Sequence, residues 1–407
     1  ETGGINAMFV DSSALPEQVV QDVMHSAFDS AGQRCSALRV LCLQADIAEK
    51  ILSMLFGAMQ ELRIGKPDLL SIDVGPVIDD DAKRNLLAHI DKSRVHARQF
   101  FQLSLDPSSV HGTYVAPTVI GVQSLSEINE EVFGPVLYVL RFQCDTLPQL
   151  IEAINVVGFG LTLGVHSRID KTIHFITSHA HVGNIYVNRN MVGAVVGVQP
   201  FGGEGKSGTG PKAGGPFYLS RLQRFPSFPF LAKGTIPADK LLLLTELTTW
   251  AQTHHYDRIV DLCDTYISSS LCNASMTLPG PTGERNTLLL APRGPILCAA
   301  SDLLCLVNQF AAIFATGNTV LLLRSCYDLL PSDFPISILN VIIAIDSKDL
   351  LVTNMCSALV DPSYATKLHP LIAAREGAII QLIHANETSE IPLWRLQVER
   401  SVCMNTT

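Results

Sequence analysis

Ala31-Gly32-Gln33-Arg34-Cys35-Ser36-Ala37-Leu38-Arg39-Val40-Leu41 is the stretch on which the fold turns. Upstream of it, residues 16–29 place Val19, Val20, Val23, Met24, Ala27 and Phe28 on one stripe at helical spacing, which predicts an amphipathic helix. Pro16 suits the first turn of that helix and Gly32 suits its stop. Downstream, residues 38–43 form a short apolar run of the kind buried inside a sheet. Helix, glycine turn and strand in that order predict an α/β layer, with Cys35 delivered just past the helix end. A thiol there can act as a nucleophile where neighbours favour the thiolate, and Arg34 is a candidate neighbour. The same residue also reads as a small core hydrophobe. A cysteine hydrolase or acyltransferase would need a His base beside Cys35, and His25 on the helix is the nearest in sequence.

Working outward, strand patterns recur at 136–142 and 183–188, with helical stripes at 45–61, 80–96 and 147–156. This alternation fits an open α/β sheet with helices on both faces. Glycines at 202, 203, 205, 208, 210, 214 and 215 would suit a linker, but the embedded prolines and aromatics predict a shaped loop. Phe225-Pro226-Ser227-Phe228-Pro229 and the prolines up to 237 forbid regular structure, so a boundary is expected there. A second unit then runs from 238 to 407. In it, Pro292-Arg293-Gly294-Pro295 is expected to lead into a long helix, followed by the segment Ala315-Thr316-Gly317-Asn318-Thr319-Val320-Leu321-Leu322-Leu323.

The chain has 407 residues, 47% of them hydrophobic, which is enough to bury large cores in two domains. A net charge of −9 argues against a nucleic-acid surface, because phosphate contacts need a basic face. The apolar stretch 296–314 is broken by Asp302, Asn308 and Gln309, and 335–345 is too short to span a bilayer. Ten cysteines are scattered without a Cys-x-x-Cys pair or metal-ligand spacing to a histidine. A reduced, cytoplasmic protein with no metal is the expectation.

Glu1-Thr2-Gly3-Gly4 followed by Gly32-Gln33-Arg34-Cys35 resembles the active-site signature of the aldehyde dehydrogenase superfamily. Glu131-Val132-Phe133-Gly134-Pro135, Asn184-Ile185-Tyr186-Val187-Asn188 and Pro200-Phe201-Gly202-Gly203 follow in that family's order. The segment from Asn188 through Gly193-Ala194 to Ser207-Gly208-Thr209-Gly210, with Ala31 to Leu41, narrows the resemblance further. It is similar to the glutamate-semialdehyde dehydrogenases fused into the proline utilization A family.

The resemblance implies an NAD-dependent oxidation of L-glutamate γ-semialdehyde, which arises from pyrroline-5-carboxylate, the second step of proline catabolism. By it, Cys35 is the nucleophile and Glu1 the base that activates the hydrolytic water. Gly3, Glu131 and Phe133 face the nicotinamide side of the cofactor. Ser36, Gly193 and Ala194 anchor the substrate carboxylate, Phe201 packs its aliphatic middle, and Arg34 adds positive potential. Two successive backbone N–H groups with a hydroxyl make a suitable anion nest, and Gly193 permits the turn that Val192, Val195 and Val196 would brace.

The family places its cofactor domain upstream of that glutamate. The chain is therefore expected to be a fragment of a larger polypeptide that carries an upstream, FAD-dependent proline dehydrogenase and forms a homo-oligomer. The expected layout is a truncated catalytic part at 1–225, a Pro-rich linker at 226–237 and a noncatalytic Rossmann-like domain at 238–407. Ala315-Thr316-Gly317-Asn318-Thr319 resembles cofactor-domain wording, but Leu323 stands where the family carries a lysine. A noncatalytic assembly segment of a larger protein is the alternative.

Overall fold

The computed structural model describes residues 3–128, 130–223 and 233–407. Strand β1 (Ala7–Val10), helix α1 (Pro16–Phe28) and strand β2 (Val40–Gln44) realise the opening motif, with β1 and β2 parallel and Ala7 opposite Val40. The stripe on α1 buries Val19, Val20, Val23, Ala27 and Phe28, while Met24 is half-buried. The strand begins two residues later than expected. Leu38 N donates to Ser26 O of α1 and Arg39 N to Asn6 O, each at 2.9 Å, so these residues close the turn before the ladder starts.

Ten strands make the larger sheet. Their order is Ser275–Leu278, Glu284–Pro292, Gln397–Asn405, Asn184–Val187, Thr162–His166, β1, β2, Val136–Phe142, Thr118–Val122 and Gln99–Gln102. From Gln397–Asn405 to Thr118–Val122 every neighbour is parallel. Strands β1, β2 and Thr162–His166 are buried along their whole length, which parallel strands covered on both faces require. The helices Ala45–Gln60, Asp80–His96 and Leu147–Val157 fall where their stripes predict.

The chain beyond residue 233 contributes to this sheet as well as forming its own. Glu284–Pro292 and Gln397–Asn405 pair antiparallel, and the latter runs beside Asn184–Val187 with Ser401 opposite Asn184. A separate parallel sheet has the order Ile343–Ile345, Thr319–Leu323, Pro295–Ala299, Ser357–Val360, Gln381–His384. In chain order this is third, second, first, fourth, fifth, a Rossmann-like arrangement. The helix expected directly after Pro295 is displaced by the strand Pro295–Ala299. It starts only at Leu303, where the Asp302 carboxylate accepts from Cys305 N at 2.8 Å and caps it. That helix, Leu303–Ala315, is buried from Cys305 onward and packs on the sheet with Phe310 against Phe334. The Pro-rich boundary lies largely outside the described residues.

Candidate active site

Cys35 precedes β2, Gly3 precedes β1, and Glu131 to Gly134 precede the strand Val136–Phe142. These strands are neighbours and parallel, so the three segments meet at the N-terminal ends of strands inside the sheet. Asn6 ties the Gly3 segment to the cysteine turn and to the strand Thr162–His166. Its Nδ2 donates to Cys35 O at 2.7 Å and to Ala37 O at 2.8 Å, and its Oδ1 accepts from Thr162 N at 3.2 Å.

The turn that presents Cys35 is left-handed at three successive residues, with φ of 57° at Ser30, 54° at Ala31 and 66° at Gly32. Only glycine adopts this readily, and Ser and Ala there cost about 1–2 kcal/mol each. Packing holds the turn in place. Gln33 Oε1 accepts from Ile78 N at 2.8 Å, and Arg34 Nε donates to Ser30 Oγ at 3.0 Å. At Gly32 a Cβ would stand 2.2 Å from Gly134 O, so two backbones touch there. The sequence predicts Gly32 as a stop, but not the strained pair ahead of it. Cys35 itself is exposed.

On the neighbouring loop, Glu131 Oε2 accepts from Gly4 N at 3.0 Å and Oε1 lies 3.4 Å from Arg39 Nη2. A Cβ on Gly3 would stand 2.9 Å from Glu131 Oε2, and Gly3 has φ of 148°. Phe133 leaves 47% of its surface open. The structure thus brings together Gly3, Glu131, Phe133 and the cysteine turn. Glu1 lies outside the described residues.

Ser36 is buried, and its carbonyl accepts from Thr162 Oγ1 at 3.3 Å. Gly193 has φ of 79° and room for a Cβ, so only its backbone conformation calls for glycine. Ala194 beside it is half-buried. Among the described residues no hydrogen bond joins Ser36 to Gly193 or Ala194. Their common support is α1, where Ser26 Oγ accepts from Met191 N at 3.0 Å. Val195 and Val196 are exposed and do not brace the turn; Gln199 does, its Oε1 accepting from Val195 N at 3.2 Å. Gln199 Nε2 in turn donates to Glu284 Oε1 at 2.8 Å, and Arg189 pairs with the same carboxylate. Burial pushes Glu284 up, but hydrogen bonds from Asn286 and Gln199 and the Arg189 charge outweigh it, leaving the group below its ordinary value. Phe201 is fixed through its backbone, exchanging bonds of 3.0 and 2.8 Å with Ala213. The glycines at 202–215 therefore serve a shaped loop, held also by buried Lys212, whose Nζ donates to Asn184 Oδ1 at 3.0 Å.

The second sheet offers its own crevice where Pro295–Ala299 and Ser357–Val360 end side by side. There the Asp361 carboxylate accepts from Ser301 N at 2.6 Å, Ser301 Oγ at 2.5 Å and Tyr364 N at 2.9 Å. Burial opposes ionisation, but these bonds prevail and hold the carboxyl down at about 2. Leu323 is buried at the end of the next strand. Asn6, Arg39 and Asp361 are the residues that sequence reasoning passes over. Each is one polar residue beside an apolar run, and each has at least one partner distant in sequence.

Among the described residues no helix is long and apolar enough to cross a membrane. Across its whole length the chain is 47% identical to the bifunctional protein PutA of Salmonella typhimurium, of which it spans 32%. The 1-pyrroline-5-carboxylate dehydrogenase from Thermus, solved with bound NAD, is 36% identical over 55% of this chain and 42% of its own, at a TM-score of 0.50. Proline utilization A from Corynebacterium freiburgense matches 100% of this chain and 39% of its own at a TM-score of 0.70. Its 23% identity makes that a likeness of fold alone. The profile of the aldehyde dehydrogenase family matches residues 1–225, which hold both the cysteine turn and the Glu131–Gly134 loop, and the chain belongs to that family.

Proposed function

We propose that this chain, within a longer polypeptide, carries the cysteine-dependent oxidation of L-glutamate γ-semialdehyde to glutamate, the step that follows proline oxidation. The observation that carries the reading is the exposed Cys35 on a strained turn whose back is locked to the Glu131–Gly134 loop. The Cys35 thiolate adds to the aldehyde carbon, and the acyl group is then held on sulfur as a thioester until water releases it. Its oxyanion is met by the Cys35 backbone N–H. Glu1 is the base for the hydrolytic water.

The residues on the nicotinamide side fit NAD. The Glu131 carboxylate is fixed at both oxygens, Phe133 presents an open ring, and Gly3 leaves out a Cβ that would press on Glu131. Glu131 would hold the ribose and Phe133 would pack on the nicotinamide. When bound, NAD supplies the two-electron acceptor for the aldehyde hydrogen. Ser36 with the Gly193-Ala194 backbone takes the substrate α-carboxylate, Phe201 lines its methylenes, and Arg34 contributes positive potential.

We propose an upstream FAD-dependent proline dehydrogenase as the partner domain, in a cytoplasmic homo-oligomer; the relatives' bifunctional name supports a second activity in the longer polypeptide. Residues 1–225 form the catalytic part, 226–237 the linker and 238–407 a noncatalytic unit. In that unit the crevice a dinucleotide phosphate would enter already holds the Asp361 anion on Ser301 N.

Cys35→Ala in the full-length enzyme tests the reading. NADH formation from pyrroline-5-carboxylate is expected to vanish while proline oxidation persists. Undiminished dehydrogenase turnover would remove Cys35 from the chemistry.

A further inference from the structure

Arg39 is the largest side chain with almost no exposure, at 1%. Its guanidinium reaches four parts of the site. It donates to Gly134 O at 3.2 Å, to Arg34 O at 3.3 Å and to Glu131 Oε1 at 3.4 Å, and its carbon lies 5.1 Å from the Phe133 ring centroid. Burial pulls its ionisation down, opposed by the charges of Glu131 and of Cys35, which lies within its electrostatic reach. As an arginine it stays protonated at any working pH.

These contacts are a poor bargain for stability alone. Each bond is long, the Nε is buried without a hydrogen-bond partner, and a buried ion pair seldom outperforms packed apolar groups. What the guanidinium does achieve is geometric. One rigid fork joins the backbone just before Cys35 to the loop bearing Glu131 and Phe133, and it holds a fixed positive charge against that backbone.

Resting on the aldehyde dehydrogenase reading above, we propose that Arg39 is a positioning residue: its fork sets Glu131 and Phe133 for the nicotinamide half of NAD, and its charge favours the Cys35 thiolate. A cation held near a thiol stabilises the thiolate over the thiol, and the low-dielectric surroundings strengthen the effect.

Two variants of the full-length enzyme separate the two roles. Arg39→Met removes the charge at similar volume. The pH profile of Cys35 alkylation by iodoacetamide, read by peptide mass spectrometry, should move upward so that alkylation at neutral pH slows about tenfold. Exposed Cys144 is the internal control, and its profile should stay in place. Arg39→Lys keeps the charge and loses the fork. Its Cys35 profile should remain near that of the parent while the KM for NAD rises several-fold with a smaller change in kcat. Should Arg39→Met fail to fold, Arg39→Gln takes its place. A Cys35 profile that does not move on loss of charge overturns the electrostatic half. An unchanged KM for NAD in Arg39→Lys overturns the positioning half. The alkylation readout needs no substrate, so a parent enzyme inactive on pyrroline-5-carboxylate would sink the functional reading and leave this test standing.

Discussion

Two recesses of this molecule lie at the ends of parallel strands, and they differ in what lines them. Before β1 and β2, Gly32 lets two backbones touch, Gly3 leaves room for the Glu131 carboxylate, Cys35 faces out and Phe133 is half open. Beyond Pro295–Ala299, a carboxylate fills the helix entrance and Leu323 lines the neighbouring strand end. The α/β layer provides a strand-end recess in both places, and a handful of side chains decides its use. Removing Cys35 strikes the comparison hardest. Cys35→Ala should lower dehydrogenase kcat in the full-length enzyme by on the order of 10⁴-fold or more, since the proposed thioester forms on its sulfur. Steady-state NADH formation measures it.

Gly32→Ala tests whether the open crevice depends on its backbone contact. A Cβ aimed at Gly134 O at 2.2 Å, on a residue with φ of 66°, should cost about 3 kcal/mol or more in unfolding free energy. Urea denaturation reads this, and a loss under 1 kcal/mol would show that the two loops part easily. Ser36→Ala should cost ~1.5–3 kcal/mol in kcat/KM for glutamate semialdehyde, with a smaller loss for an aldehyde of equal length lacking the carboxylate. Equal losses would remove Ser36 from carboxylate anchoring.

The closed crevice makes the smallest prediction. The Asp361 carboxyl falls from an ordinary 3.8 to about 2 in the fold. Its contribution is therefore present above about pH 4 and is lost as pH falls towards 2, amounting to roughly 1–2 kcal/mol. Asp361→Asn should lose that stability at neutral pH and show a flatter acid limb below pH 4. An unchanged acid limb would mean the carboxylate is not what holds this helix entrance.

Much of the first crevice is legible in the sequence, because helix stripe, glycine stop and cysteine follow one another within about twenty residues. The helix Asp80–His96 matches its expected bounds for a similar reason. Asp79 caps it through a bond from Ala82 N at 2.8 Å, a local signal. The antiparallel pair Glu284–Pro292 with Gln397–Asn405 is not legible in the sequence. Its strands are over a hundred residues apart, and the polar pattern of Glu284-Arg285-Asn286-Thr287 gives little sign that Asn286, Leu288 and Leu290 share a buried face. Asn6 and Arg39 were illegible for another reason. Nothing local marks a polar residue most of whose side-chain bonds go to segments distant in sequence.

The central claim is that chemistry passes through the Cys35 sulfur and nowhere else in this chain. Acid-quenching the full-length enzyme during turnover of pyrroline-5-carboxylate with NAD, followed by peptide mass spectrometry, tests it directly. The account predicts a glutamyl adduct on the peptide bearing Cys35, absent without NAD and absent in Cys35→Ser. An adduct on another cysteine, or full turnover with no adduct on any, would contradict it.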